Sequence, residues 1–394
     1  MKIDNKFLDS FIKHARSIYE QEDSILLHRP IFLGNEKKYL NECIDSNYVS
    51  SVGKKVQEFE NIVARFTGSK YAIATVNGTA ALHIALKLAD VNSGDEVITQ
   101  ALTFVATCNA ITYANASPVF IDVDRDTMGL SPESLENFLK NNAIKLNDSV
   151  INKNSGKKIS ACIPMHTFGM PCRIREIMTI CDKWGITLIE DAAESLGSYM
   201  ENKHTGTFGK MGTISFNGNK IITSGGGGMI LTDDEMLAKK AKHITTTSKV
   251  PHPYEFIHDE VGYNYRMPNL NAALGFAQFE KIDDFLHAKK KLAKCWENFF
   301  KKFDLTFFNP IKGASSNFWL NTILLNSKSE KEMFIEYTNQ NNVMTRPVWR
   351  LMSSLDMFKN CETDGLENSK KLSDIAVNIP SSVPVDYLLG KESV

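Results

Sequence analysis

Between residues 71 and 232, short runs of aliphatic and β-branched residues alternate with segments whose apolar positions recur every third or fourth residue. A short continuous apolar run fits a buried strand, and the three-four spacing fits a helix with one apolar face. The pattern predicts strands over 71–76, 96–99, 118–123, 159–165, 186–189, 212–216 and 228–231, with helices over 79–89, 104–114, 132–139 and 173–184. Strands that alternate with helices in this way make an α/β fold, here a large, mostly parallel seven-stranded sheet covered by helices. The polar stretch from Asn141 to Lys158 breaks no strand and reads as an inserted loop or small hairpin. After Asn269 a long helical pattern reaches Phe303, and a mixed segment continues through Pro384. This predicts a smaller C-terminal α+β domain over 269–394, a large domain over 51–268, and a segment 1–50 that packs near the small domain.

Composition narrows the partners. The chain has 394 residues with 45 Lys plus Arg against 46 Asp plus Glu, so no overall field favours nucleic acid or an anionic membrane. One basic cluster, Lys289, Lys290, Lys291 and Lys294, lies in the helical pattern beside Glu280, Asp283 and Asp284 and reads as a solvated helix face. The 7 cysteines are odd in number, scattered and without a C-x-x-C pair, which fits reduced thiols and predicts no metal centre. The N-terminus has no apolar leader core, and no long apolar run follows, so a cytoplasmic protein without membrane contact is expected.

Three segments carry candidate chemistry. The first strand ends in Asn77-Gly78-Thr79-Ala80-Ala81 as a helix begins, and free N–H groups at a helix start suit an anion. A plain strand-to-helix turn capped by Thr79 explains the same residues. The second segment, Ile189-Glu190-Asp191-Ala192-Ala193-Glu194, ends a buried strand, where sheets of this type present ligand groups. A carboxylate there can keep a pyridine nitrogen protonated, or it can be a structural acid satisfied by backbone amides. The third, Ser215-Phe216-Asn217-Gly218-Asn219-Lys220, places a lysine between a strand and a turn, followed by four glycines, Gly225 to Gly228. A partly desolvated lysine can act as an amine nucleophile, though most lysines are surface charges. The glycines allow backbone to approach a ligand closely.

In this order and spacing the three segments resemble the DegT/DnrJ/EryC1/StrS sugar aminotransferases, which have the aspartate-aminotransferase fold. The resemblance extends from Pro30, Gly34 and Glu36, through Val49-Ser50-Ser51-x-Gly53 and Phe59-Glu60, to Asn378-Ile379-Pro380-Ser381. It implies a pyridoxal 5'-phosphate (PLP) cofactor bound by the large domain, with Lys220 as the Schiff-base lysine and Asp191 as partner of the pyridine nitrogen. It further implies that Phe104 stacks on the cofactor ring and that Gly78, Thr79, Ala80 and Ser215 bind its phosphate. Glu194 falls where many relatives carry glutamine or histidine beside the ring hydroxyl. Asn264 of Gly262-Tyr263-Asn264-Tyr265-Arg266 matches an asparagine that reaches the neighbouring subunit's cofactor, which implies a homodimer with shared active sites. His166, at the end of another strand, is expected either to line the cleft or to cap the sheet.

Leu27-His28-x-Pro30, the polar insert, the glycine run and Lys249-Val250-Pro251-His252-Pro253 resemble the legionaminic-acid branch of the family. That branch implies amino transfer from L-glutamate to the C4 ketone of UDP-2-acetamido-4-keto-2,6-dideoxyglucose. A GDP-4-keto-6-deoxymannose aminotransferase, similar to perosamine synthases, is the alternative, and a non-catalytic sensor on the same fold is the rival outside catalysis. Dehydratases of this fold carry histidine at the lysine position, and Lys220 argues against that branch. His166, Arg346 and Trp349 are the candidate substrate contacts; the guanidinium forks of Arg346 and Arg350 suit diphosphate oxygens, and surface salt bridges explain both arginines nearly as well. Ser353-Ser354 departs from the Leu-His or Met-His pair usual just after them.

Overall fold

The computed structural model describes residues 3–20 and 23–388. Its centre is a seven-stranded sheet built from β1 (Tyr71–Thr75), β2 (Glu96–Gln100), β3 (Ser117–Ile121), β4 (Ile159–Ile163), β5 (Thr187–Asp191), β6 (Met211–Ser215) and β7 (Gly228–Thr232). The spatial order is β1-β7-β6-β5-β4-β2-β3. Each strand matches an apolar run in the sequence, because a sheet covered on both faces needs apolar residues at successive positions. All neighbours pair in parallel except β7, which runs antiparallel to both β1 and β6.

This one reversal positions the site. With β7 reversed between them, β1 and β6 point the same way, and Thr75 and Ser215 both lie level with Gly228, the first residue of β7. Asp191 at the end of β5 lies beside Thr213 of β6. The C-terminal ends of β1, β5 and β6 therefore share one sheet edge, where doubly wound folds bind ligands.

Helices Gly78–Leu88, Val105–Tyr113, Pro132–Asn142 and Ile174–Trp184 cover the sheet as the periodicity predicts. The polar insert forms a hairpin, Ala143–Leu146 paired with Ser149–Asn152. Helix Asn5–Tyr19 buries Phe7 and Phe11 against Trp296, Phe300 and Phe334, with the Phe11 ring 4.8 Å from that of Phe334. A four-stranded antiparallel sheet lies in the C-terminal part, with β8 (Thr306–Phe307), β9 (Asn321–Leu324), β10 (Arg346–Pro347) and β11 (Ala376–Ile379) in the order β8-β9-β11-β10.

The long helical pattern after Asn269 divides into two helices, Asn269–Phe279 and Ile282–Lys301. The basic cluster on the second is only partly a solvated face. Lys290, Lys291 and Lys294 are exposed, but Lys289 is fully buried and its Nζ donates to the carbonyls of Trp319 and Ser381. Its spacing from Phe285, Leu292 and Trp296 puts it on the apolar stripe, and burial pushes its amine well below the usual lysine range.

Candidate active site

A cavity of about 380 Å³ opens at the shared strand edge, lined by Asn77, Gly78, Thr79, Phe104, Asp191, Glu194, Ser215 and Lys220, with Trp319 and Trp349 opposite. Its size falls within the usual range for a small-molecule site.

The anion cradle is built by the turn from β1 into the Gly78–Leu88 helix. Asn77, not Thr79, is the cap, and its Oδ1 accepts the Ala80 N–H at 2.8 Å. That bond occupies the donor expected of Ala80, so the cavity wall here is Gly78 and Thr79. A Cβ on Gly78 would stand 3.0 Å from the Ser215 Cβ, so the turn lies closely against the end of β6. Of the run Gly225 to Gly228, none lines the cavity, and Gly228 serves the same packing: a Cβ there would lie 2.5 Å from the Asn77 carbonyl carbon.

The adjacent acids Glu190 and Asp191 have opposite fates, because neighbouring strand residues face opposite sides. Glu190 is the structural acid. Its oxygens accept from the N–H groups of Gly206, Phe208 and Gly209, and from His166 Nε2 at 3.0 Å. Asp191, only 2% exposed, accepts just the Thr107 hydroxyl at 2.7 Å and the Ala193 N–H at 3.2 Å. Burial raises its pKa, against the pull of Thr107, Ala193 and Lys220. A cation arriving beside it would offset the cost of burial.

Lys220 lies on the β6–β7 connection, and its Nζ is 3.3 Å from Glu194 Oε1 and 4.0 Å from the centre of the Trp319 ring. Glu194 is buried, its Oε2 accepts the Phe168 N–H at 2.9 Å, and burial pushes its carboxyl up to about 7 despite the nearby lysine. Phe104 stands at the mouth, half exposed, with its ring 5.9 Å from that of Trp349.

His166 is not in the cleft. It is fully buried, the Cys172 N–H donates to its Nδ1, and its Nε2 therefore carries the proton that faces Glu190. It holds the sheet end, the second of the two roles the sequence left open. Arg346 lies on β10 outside the cavity wall, its Nη1 bonded to Asn339 Oδ1 and the Thr345 carbonyl. Asn264 is exposed and does not line the cavity of its own chain.

Two residues escaped the sequence reading. Trp319 forms part of the wall, and Asn317 ties that wall to the sheet by donating to the carbonyls of Glu194 and Leu196 at 2.8 and 2.9 Å. Neither belongs to a local motif. The one signal at hand is the polar residue Asn317 in an aromatic stretch, Asn317-Phe318-Trp319, where a buried amide must find partners.

The donor set fits PLP: a helix start and a serine for a phosphate, an under-satisfied acid for a ring nitrogen, an aromatic at the mouth and an amine within reach. The fold and site are those of an aminotransferase. The DegT/DnrJ/EryC1/StrS aminotransferase family model matches residues 32–386, and the chain belongs to this family of PLP-dependent sugar aminotransferases. It is 37% identical to EpsN of Bacillus subtilis (strain 168), assigned as a pyridoxal phosphate-dependent aminotransferase, over 85% of this chain and 84% of that protein. It is 34% identical to the GDP-perosamine synthase of Vibrio cholerae, over 91% of this chain and 94% of that protein. An aminotransferase structure from Psychrobacter cryohalolentis superposes with a TM-score of 0.80 at 27% identity, covering 92% of this chain and 95% of that one. Among the described residues no helix is long and apolar enough to cross a membrane.

Proposed function

We propose that the chain moves the amino group of L-glutamate to the C4 ketone of a nucleotide-linked 4-keto-6-deoxy sugar. The observation that carries this is the single cavity in which Lys220, Asp191 and Glu194 face the Gly78–Thr79 helix start. When bound, the cofactor supplies a conjugated ring that accepts the electron pair left by breaking a substrate C–H bond. Asp191 would hold the proton on the ring nitrogen, and the Gly78–Thr79 turn with Ser215 would take the phosphate. Lys220 would hold the cofactor at rest, and its amine, when free and neutral, would take the proton from the glutamate α-carbon. In the second half, Lys220 delivers a proton to C4 of the sugar. Trp349 borders the space left for that sugar.

The substrate read from the sequence is UDP-2-acetamido-4-keto-2,6-dideoxyglucose, which would serve legionaminic acid or a related surface glycan. The second reading is GDP-4-keto-6-deoxymannose, favoured by three GDP-perosamine synthases at 33, 34 and 35% identity. Incubation with L-glutamate and each keto sugar, with the product identified by NMR, decides between them. Amination of neither substrate would remove both readings.

The active unit in this proposal is a homodimer in which Asn264 serves the partner's phosphate site, because a phosphate dianion needs more donors than one helix start and Ser215 provide. Co-expressed Asn264→Ala and Lys220→Ala chains should regain activity that neither homodimer has, since one site of each heterodimer is free of both defects. Activity no greater than the sum of the parents would mean that Asn264 acts within its own chain.

A further inference from the structure

Trp319 is fixed more completely than a wall residue needs to be. Its N–H donates to Asn317 Oδ1 at 2.8 Å, its carbonyl accepts from the buried Lys289 Nζ at 2.8 Å, and its indole Nε1 donates to the Asn219 carbonyl at 2.6 Å. These partners come from three separate parts of the chain, and they leave the ring with no polar group unspent and 4% exposure. What the ring faces is the Lys220 amine, 4.0 Å from its centre, with Glu194 Oε1 at 3.3 Å from the same nitrogen. An indole face attracts a cation through its quadrupole, more strongly where water is excluded. The Lys220 side chain is 13% exposed and that of Glu194 is 2% exposed, so water competes little here.

We propose that Trp319 and Glu194 form a holding site for the Lys220 amine in its charged state, occupied once the freed lysine has taken up a proton. The inference rests on the reading of Lys220 as the cofactor-bonding lysine and adds a positioning residue to it. In the transfer step the proton leaves the glutamate α-carbon for the Lys220 lone pair, and the electron pair of the C–H bond stays in the conjugated substrate–cofactor system. The lysine becomes an ammonium, and the indole face and the carboxylate stabilise it as it forms. The buried Lys289 fixes the Trp319 main chain by donating to its carbonyl.

Two readouts test this, one of them without cofactor. In cofactor-free protein, acetylation of Lys220 by a limiting N-hydroxysuccinimide ester is followed by peptide mass spectrometry. Trp319→Leu should raise the rate of Lys220 acetylation roughly 3-fold or more, because the ammonium loses its stabilising face, whereas Trp319→Phe keeps a face and stays near wild type. In the loaded enzyme, Trp319→Leu should slow turnover roughly 3- to 30-fold and enlarge the kinetic isotope effect with α-deuterated glutamate, because proton transfer becomes slower than the other steps. Trp319→Met, which fills the space without a ring, replaces the leucine variant if that one does not fold. An unchanged acetylation rate or an unchanged isotope effect in the ringless variant overturns the holding site. Cofactor trapped on a lysine other than 220 would instead overturn the functional reading, and the acetylation rates would still judge the contact between ring and amine.

Discussion

The two walls of the cavity are built by different means. The sheet wall consists of strand ends and the turns after them, Asn77 to Thr79, Asp191 and Ser215, placed by main-chain register. Its polar groups are deliberately under-used in the sense that matters for binding: Asp191 has two donors where its neighbour Glu190 has four. The opposite wall, Trp319 with Trp349, comes from the C-terminal part of the chain. Side-chain bonds hold its Trp319 half, from Asn317 to the Glu194 carbonyl and from Trp319 to the Asn219 carbonyl. The polar groups of Trp319 are consumed by the protein itself. One wall offers charge and free donors, and the other offers shape and exclusion of water. A transferase needs both, because a charged intermediate is stabilised by fixed groups in a dry site.

Substitutions on the two walls should therefore fail in different ways. The largest effect is expected on the sheet wall. Asp191→Asn should retain part of its cofactor yet lose about 10²-fold or more in kcat, since an amide cannot hold the ring nitrogen's proton as a carboxylate does. Steady-state rates at saturating glutamate measure this, and a near-wild-type rate would assign the role to another acid. Next comes the opposite wall. Asn317→Ala strands the carbonyls of Glu194 and Leu196 and the Trp319 N–H, and should cost about 2–4 kcal/mol of stability in a urea titration. A loss of activity at full stability would contradict the structural role given to Asn317.

The smallest effect lies where the walls meet, at Glu194. Its carboxyl is pushed up to about 7 by burial, above the usual 4.5, so the folded protein binds this proton more tightly than the unfolded chain. The stabilising contribution is complete below pH 4.5 and is lost as pH rises through about 7. Glu194→Gln, which never ionises, should match the melting temperature of cofactor-free wild type near pH 4 and exceed it at pH 8, by at most about 3 kcal/mol in stability. A constant difference across that range would mean that Glu194 does not titrate there.

The same division governs what the sequence makes legible. All seven sheet strands appear as apolar runs, Asp191 and Ser215 stand at strand ends and Lys220 in the connection that follows Ser215, because strand, turn and ligand group are neighbours along the chain. The Glu194 carbonyl that Asn317 bonds is 123 residues away and the Asn219 carbonyl that Trp319 bonds is 100 away, and no local pattern announces such contacts. The sequence singles out Asp191 as the ligand group but assigns Glu190 no role, since only the fold brings the amides of residues 206–209 to it. His166 and Lys289 carry the same lesson. Lys289 is buried by its place on a helix's apolar stripe and His166 just beyond the end of β4, and the partners of both come from elsewhere in the chain.

The account turns on Lys220. Borohydride reduction of the purified, yellow enzyme, followed by proteolysis and mass mapping, should place the reduced cofactor on Lys220, and Lys220→Ala should take up no reducible label and lose roughly 10²- to 10⁴-fold in transamination. Label on any other lysine, or a Lys220→Ala variant that turns over near the wild-type rate, would contradict it.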